Sequence, residues 1–331
     1  METYITLAKP NGEEQGCLSD VADVDIDIGG SNDFEIRIAS EKYEKERMNF
    51  GCRFFIPGTE YGGIIRDIES ITKTGEIVLR GSTWCGMLEQ KVIEPPDGED
   101  HLIVSGDLNE VIKILAEKRF DELFQISNLS TGIKVTNWKV DRYVTLYDAL
   151  QKLMDYFEKR LKIQYIQPEG NEYGYVLIQA EEVQNYSEQL EYSQEENIHV
   201  DVRDNRNGVN HLVCAGKGEN QERVVLHLYV QKDGTVGKTQ HYKGLEEIAS
   251  VYDYSSADVE KLEEDGKKKL IELKNYKKCE MTVDDIDVEI GDIISGYDAI
   301  TNTQVVKPII QKVLKIQDGT LSIDYKVKGD D

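Results

Sequence analysis

The chain has 331 residues, and its 63 acids against 39 bases give a formal charge of −24. Such a surface repels nucleic-acid phosphates, which disfavours conventional DNA or RNA binding but not a surface that DNA slides past. The length is enough for two or three domains with real cores; hydrophobic residues make up 39%, and no apolar run approaches the ~20 residues of a membrane span.

The N-terminus METYITLAKPNGEE has no basic start followed by an apolar core, so no secretory signal is expected. Five dispersed cysteines (Cys17, Cys52, Cys85, Cys214, Cys279) lack C-x-x-C spacing. That argues against a disulfide framework or zinc cluster and for a reducing compartment. Eighteen tyrosines against seven phenylalanines suggest half-buried aromatic positions with a wet end.

Apolar residues alternate with acids over Val24–Ile28 and again over Phe34–Ile38, which predicts a hairpin across Gly29–Gly30–Ser31–Asn32. Further strands are expected at Cys52–Ile56, Gly63–Ile71 and Glu76–Gly81, separated by Pro57–Gly58, Gly62–Gly63 and Thr74–Gly75. Short strands at this spacing indicate a barrel or sandwich, closed off by Pro95–Pro96–Asp97–Gly98.

The period then changes. Asp107 with Glu110 reads as a capping pair before a stripe of Leu108, Val111, Ile112 and Leu115. Thr145 with Asp148 opens a second helix carrying Leu146, Leu150, Leu153, Met154, Phe157 and Leu161. Strands near Lys162–Gln167 and Tyr173–Gln179 complete a small α/β unit. Beyond it, Asn210–Ala215 and Arg223–Val230 read as a strand pair around the loop Gly216–Lys217–Gly218–Glu219. Ser255 and Asp258 suggest a cap for a helix through Val259, Leu262, Gly266, Leu270 and Leu273. Strands are expected again at Asp285–Ile290, Val305–Ile310, Gln311–Ile316 and Leu321–Val327. The expected class is α+β, mainly β. Its divisions are an N-terminal β-barrel-like domain over 1–98, an α/β domain over 99–185, and a second barrel-like domain over 186–331 with a helical insertion at about 244–277.

Candidates for chemistry weaken on inspection. Cys85, between Trp84 and Gly86, looks like a thiol nucleophile, but the papain-type order is reversed and incomplete, no histidine is near in sequence, and no clear helix start follows. Packing is the better reading, with Trp84 and Leu88 in the core and Cys85 and Gly86 allowing close approach. Asp23, Asp25 and Asp27 mimic a calcium loop, yet Ile28 stands where glycine is required and Phe34 where the bidentate glutamate belongs. The acids fit the solvent face of a strand. Gly216–Lys217–Gly218 precedes a strand, not a helix, so a hairpin loop is expected in place of a phosphate loop. His199, His211, His227 and His241 lack ligand spacing, and His211 and His227 within strands read as satisfied structural histidines. Lys267–Lys268–Lys269 reads as a solvated helix face. No catalytic, cofactor or metal residue is assigned.

Three blocks carry a resemblance. DFEIRI (Asp33–Ile38), FFIPGTEYGGIIRDIE (Phe54–Glu69) and IVLRGSTWCGMLEQKVIEPP (Ile77–Pro96) make up the first, VNHLVCAGKGENQERVV (Val209–Val225) the second, and VEIGDIISGYDAITN (Val288–Asn302) with the strands of Val305–Val327 the third. Together they resemble phage tail hub proteins, the T4 baseplate hub-like group that includes siphophage and prophage tail proteins. The resemblance implies two tube domains per chain, so that a homotrimeric ring presents a pseudo-sixfold face to the tail tube. It implies a structural role at the virion tail tip after assembly in the host cytoplasm. The implied partners are the distal tail or tube protein, the tape-measure protein and a spike or receptor-binding protein, with DNA passing an acidic lumen unbound. The chain stops soon after its last strand, so receptor binding and wall cleavage are expected of other proteins. The alternatives are a tail-tip cell-wall hydrolase and the hub of a contractile injection system.

Overall fold

The computed structural model describes residues 5–18, 21–117, 119–120, 122–168, 173–187, 191–192, 198–283, 288–298, 300, 303–317 and 319–328. The chain forms two compact units, one of Met1–Val200 with Glu280–Val327 and one of Asp201–Cys279, inserted between them in sequence.

The larger unit grows from the hairpin that the alternation predicts. Val21–Ile28 and Asp33–Ala39 pair antiparallel with Ile26 opposite Phe34. Val24, Ile26, Ile28, Phe34, Ile36 and Ile38 are buried, because a pleated strand sends alternate side chains to one face. At the turn, Gly29 has φ +87°, and a Cβ there would lie 2.2 Å from the Ile310 carbonyl oxygen. Both conformation and contact therefore demand glycine.

The ladder continues on both sides. Its order runs Ile198–Asn205, Tyr276–Val283, Thr320–Val327, Thr303–Gln317, Val21–Ile28, Asp33–Ala39, Glu76–Thr83, Gly62–Ile71, Arg53–Phe55, Ile5–Ala8 and Glu14–Leu18. Ile293–Asp298 pairs with the first part of Thr303–Gln317. Strands from the two ends of the sequence thus share one sheet, with Lys312–Gln317 opposite Asp23–Ile28. Among the described residues this ladder does not close on itself into a barrel.

The expected strands Val305–Ile310 and Gln311–Ile316 are one strand, Thr303–Gln317, with an irregularity between Ile309 and Gln311. Ile309 is buried, Ile310 exposed, and Lys312 and Leu314 are buried. The inward set moves from odd to even positions there, as an inserted residue requires. Of the expected strand Asp285–Ile290, residues 285–287 lie outside the described residues, and 288–290 are not strand.

In the α/β portion, Asp107 caps Leu108–Ala116 in a complete capping box with Glu110, and Thr145 caps Leu146–Tyr156. That second helix is shorter than the apolar stripe suggested. Glu158 turns the chain at φ +53°, so Leu161 belongs to the strand Lys159–Ile166. This strand pairs with Tyr175–Glu182, which pairs in parallel with the edge strand Phe124–Ile126.

The inserted unit is a four-stranded sheet in the order Val236–Gly237, Val225–Val230, His211–Ala215, Ala249–Asp253, with the helix Val259–Leu273 on it. Asp258 alone supplies the cap side chain, accepting from the Lys261 N–H. Leu212, Cys214, Leu228, Ala257, Leu262 and Leu270 form its central cluster. Gly266 brings the helix close, since a Cβ there would lie 2.7 Å from the Cys214 Sγ.

Candidate functional site

Cys85 lies in a six-residue helix, Trp84–Glu89, whose N-cap is Thr83. The sequence showed no helix start here. The signal was Thr83 itself, whose hydroxyl accepts the Gly86 N–H at 3.3 Å and donates to the Asn32 carbonyl at 2.9 Å. Trp84 is fully buried and stacks 5.8 Å from Tyr165, which stacks in turn 3.8 Å from Phe55. Gly86 sits so close to Asn32 that a Cβ would lie 2.2 Å from that carbonyl oxygen. The wall reading of Trp84, Leu88 and Gly86 matches this packing.

The thiol itself meets no cleft. It borders a void of about 20 Å³ shared with Ile28, Glu60, Tyr147 and Leu161, room for roughly one water. Burial above all, then the charges of Glu60 and Glu89, pushes the Cys85 thiol far above its ordinary range. A nucleophilic cysteine needs the opposite environment.

The sequence missed a cluster of buried ions in the larger unit. Lys312, 1% exposed, pairs with Glu60, donates to the Val288 carbonyl at 3.1 Å and lies 4.9 Å from the centre of the Tyr61 ring. Arg160 meets Glu181 at 2.8 Å and Asp292 at 3.3 Å. Burial raises the Asp292 pKa more than the Gln184 N–H and Arg160 lower it. The cluster draws Glu60 from the first β portion, Arg160 and Glu181 from the α/β portion, and Asp292 and Lys312 from the last strands. Buried charges are retained only with such partners, and here the partners come from three separate stretches of the sequence. The one hint in the sequence was Lys312 in phase with Leu314.

In the inserted unit, His211 uses both ring nitrogens, Nδ1 at 2.5 Å from Glu247 and Nε2 at 2.8 Å from His227 Nδ1, with Tyr229 stacked 4.5 Å away. His211 is a satisfied strand histidine, as expected. His227 is exposed, and His241 meets Gln231 at 3.1 Å. The side chain of His199 lies outside the described residues. Gly216–Lys217–Gly218 is a hairpin connection, with Gly216 N–H bonded to Val224 and Val224 N–H to Lys217. Lys267, Lys268 and Lys269 each pair with a glutamate of their own helix at 2.8 Å.

Asp23, Asp25 and Asp27 lie on the outer face of their strand. Asp27 accepts from Gly30 N–H, Ser31 and Gln311. Burial, and then the neighbouring acids Asp27, Asp33 and Glu35, raise the Asp25 pKa against the pull of Lys315. Among the described residues no group of three or more His, Cys, Asp or Glu is arranged to hold a metal ion. No described helix is long and apolar enough to cross a membrane.

No family model matches the sequence, and no curated protein matches it. Solved structures do match the fold. The tail protein from Neisseria meningitidis MC58 aligns over 99% of this chain and 97% of its own, at 14% identity and a TM-score of 0.51. The 43 kDa tail protein of prophage MuSo2 from Shewanella oneidensis aligns over 98% of each chain, at 12% identity and a TM-score of 0.56. A chain of the phage P2 baseplate in its activated conformation with Ca also aligns over 98% of each, at 9% identity and a TM-score of 0.50. The fold of this chain is that of phage and prophage tail proteins.

Proposed function

We propose that this chain is a structural tail protein, the hub that joins a phage or prophage tail tube to its tip. The observation that carries the reading is the length of the fold match. Three tail or baseplate chains align with it nearly end to end, which supports a tail role for the whole chain. The charge of −24 supports a channel that DNA passes without binding. In this reading three copies close into a ring, and the two β portions act as the barrel-like tube modules of 1–98 and 186–331. The α/β portion of 99–185 lies between them in sequence. Its partners are the distal tail or tube protein, the tape-measure protein and a spike or receptor-binding protein. It is assembled in the host cytoplasm and ends at the virion tail tip.

Solution mass across a concentration series, with negative-stain images of the largest species, tests the ring. A species of three chain masses with a central opening is expected. A strict monomer at every concentration, also in the presence of the adjacent tube protein, overturns the trimeric hub.

A further inference from the structure

The larger unit carries a groove of about 1350 Å³, above the ~300–1,000 Å³ that suits a small-molecule ligand. Arg53, Arg66, Lys91 and Arg119 line it, with Glu122 as the one acid among the described lining residues. Four cations against one acid invert the balance of the whole chain. They are also left without counter-ions. Arg37, Arg47, Arg80, Arg160 and Arg223 each meet a carboxylate at 2.8 Å or closer, whereas none of the four groove cations pairs with one among the described residues.

The backbone positions these charges. Gly62–Ile71 slips register between Ile65 and Asp67 against its neighbour, so Arg66 is the extra residue of a bulge, a device that re-aims a side chain. Arg53 donates to the Pro10 carbonyl at 2.7 Å, while its buried Nε has no acceptor. Arg119 is anchored by its Nε on the Leu115 carbonyl at 2.8 Å, and Lys91 lies 5.5 Å from the centre of the Phe120 ring. On the same groove, Phe124 and Gln125 belong to Phe124–Ile126, the edge strand of its sheet. An edge strand offers a row of main-chain donors and acceptors to an incoming extended chain.

We propose that this groove is the docking site for an extended, acidic segment of a partner protein. The cations supply charge complementarity and the edge strand supplies main-chain pairing. The second feature favours a peptide over a nucleic acid, which offers no ladder partner. The inference does not depend on the hub reading, because it rests on the groove alone.

The test uses the full chain and a fluorescein-labelled peptide alternating Glu with Thr, read by anisotropy at low and high salt. The same peptide with Lys for Glu and a single-stranded oligonucleotide of equal charge serve as competitors. Binding of the Glu peptide is expected to weaken with salt, and Arg66→Glu, at an exposed position, is expected to weaken it about tenfold or more. A photo-crosslinking version of the peptide should label the Phe120–Gln125 region. The proposal is overturned if the Glu peptide does not bind at low salt, if Arg66→Glu binds it as well as the parent, if the oligonucleotide competes more strongly than unlabelled peptide, or if crosslinks map elsewhere. Unchanged thermal unfolding of Arg66→Glu shows that a lost affinity is not a lost fold.

Discussion

At the centre of the inserted unit, the helix Val259–Leu273 and its sheet bury Leu212, Cys214, Leu228, Ala257, Leu262 and Leu270. At the centre of the larger unit, Lys312, Glu60, Arg160 and Asp292 lie among the apolar side chains, all with less than a tenth of their surface exposed. The difference separates two ways of specifying an interior. Apolar packing rewards any arrangement that fills volume, so it is forgiving of identity and exacting about size. A buried ion accepts only the arrangement that returns its counter-charge, so it is exacting about pairing. In the larger unit that pairing joins three separated stretches of sequence.

The sharpest way to break this contrast is to remove one ion. Lys312→Met keeps a long apolar stem but takes the Lys312 charge away from Glu60, itself 6% exposed, and removing one partner of a buried pair costs about 3–5 kcal/mol. Adding Glu60→Leu should recover most of that loss. Both tryptophans, Trp84 and Trp138, fall within Met1–Val200, so their fluorescence in a urea titration follows this unit. A single variant no less stable than the double shows that the pair is not coupled.

Leu262→Ala probes the apolar interior instead. Leu262 is fully buried, and truncation should cost about 2–5 kcal/mol depending on how far the site collapses. Amide exchange in His211–Ala215 reads it. A loss under about 1 kcal/mol, outside the range of such truncations, indicates that the cluster is loosely packed.

Gly266→Ala sharpens the same point at a smaller magnitude. Alanine gains up to about 1 kcal/mol of helix propensity over glycine. The new Cβ, however, would lie 2.7 Å from Cys214 Sγ and 2.9 Å from Leu228 Cδ1, and overpacking costs about 1–3 kcal/mol. The clash is expected to win, because a cysteine has one torsion with which to retreat. Cys214→Ala opens the space, so the double variant should be more stable than Gly266→Ala alone. Equal stability of the two would locate the strain elsewhere.

What the sequence disclosed follows the range of each interaction. The hairpin of Val21–Ile28 with Asp33–Ala39 and the caps Asp107, Thr145 and Asp258 are local, and each shows as alternation or as a polar residue before an apolar stripe. Leu161 was misplaced because Glu158 turns the chain with no glycine or proline to mark the turn. Thr303–Gln317 reads as two strands in the sequence, but the irregularity at Ile309–Gln311 shifts the inward face without ending the strand. The meeting of Lys312 with Glu60, and of Lys312–Gln317 with Asp23–Ile28, spans most of the chain and leaves no periodic trace. The groove was hidden for the same reason, since Arg53, Arg66, Lys91 and Arg119 are unremarkable until the sheet assembles them.

The smallest effect belongs to the most legible feature, the cap at Asp107, which stands between the two ways of building an interior: it is a charge, but one held by neutral donors. Its carboxylate accepts from Asn109 N–H at 3.0 Å, Ser130 Oγ at 2.8 Å, Thr131 N–H at 2.9 Å and Gly132 N–H at 3.1 Å. Burial alone would raise its pKa, but the bonds from Ser130, Thr131 and Asn109 outweigh burial and hold it below the ordinary carboxylate value. A carboxylate depressed in the folded state stabilises fully above its unfolded pKa of about 3.9, and the contribution fades as pH falls through the lower folded value. Asp107→Asn keeps one acceptor oxygen for the cap but sets an NH2, which cannot accept, against the donors of Ser130, Thr131 and Gly132, so about 1–2 kcal/mol should be lost at neutral pH. The gap between the two proteins should stay constant from roughly pH 8 to pH 5 and narrow only below about pH 4. Urea midpoints across that range decide the matter. A gap that widens on acidification would mean the folded Asp107 holds its proton more tightly than the unfolded chain does, the reverse of what the converging donors impose.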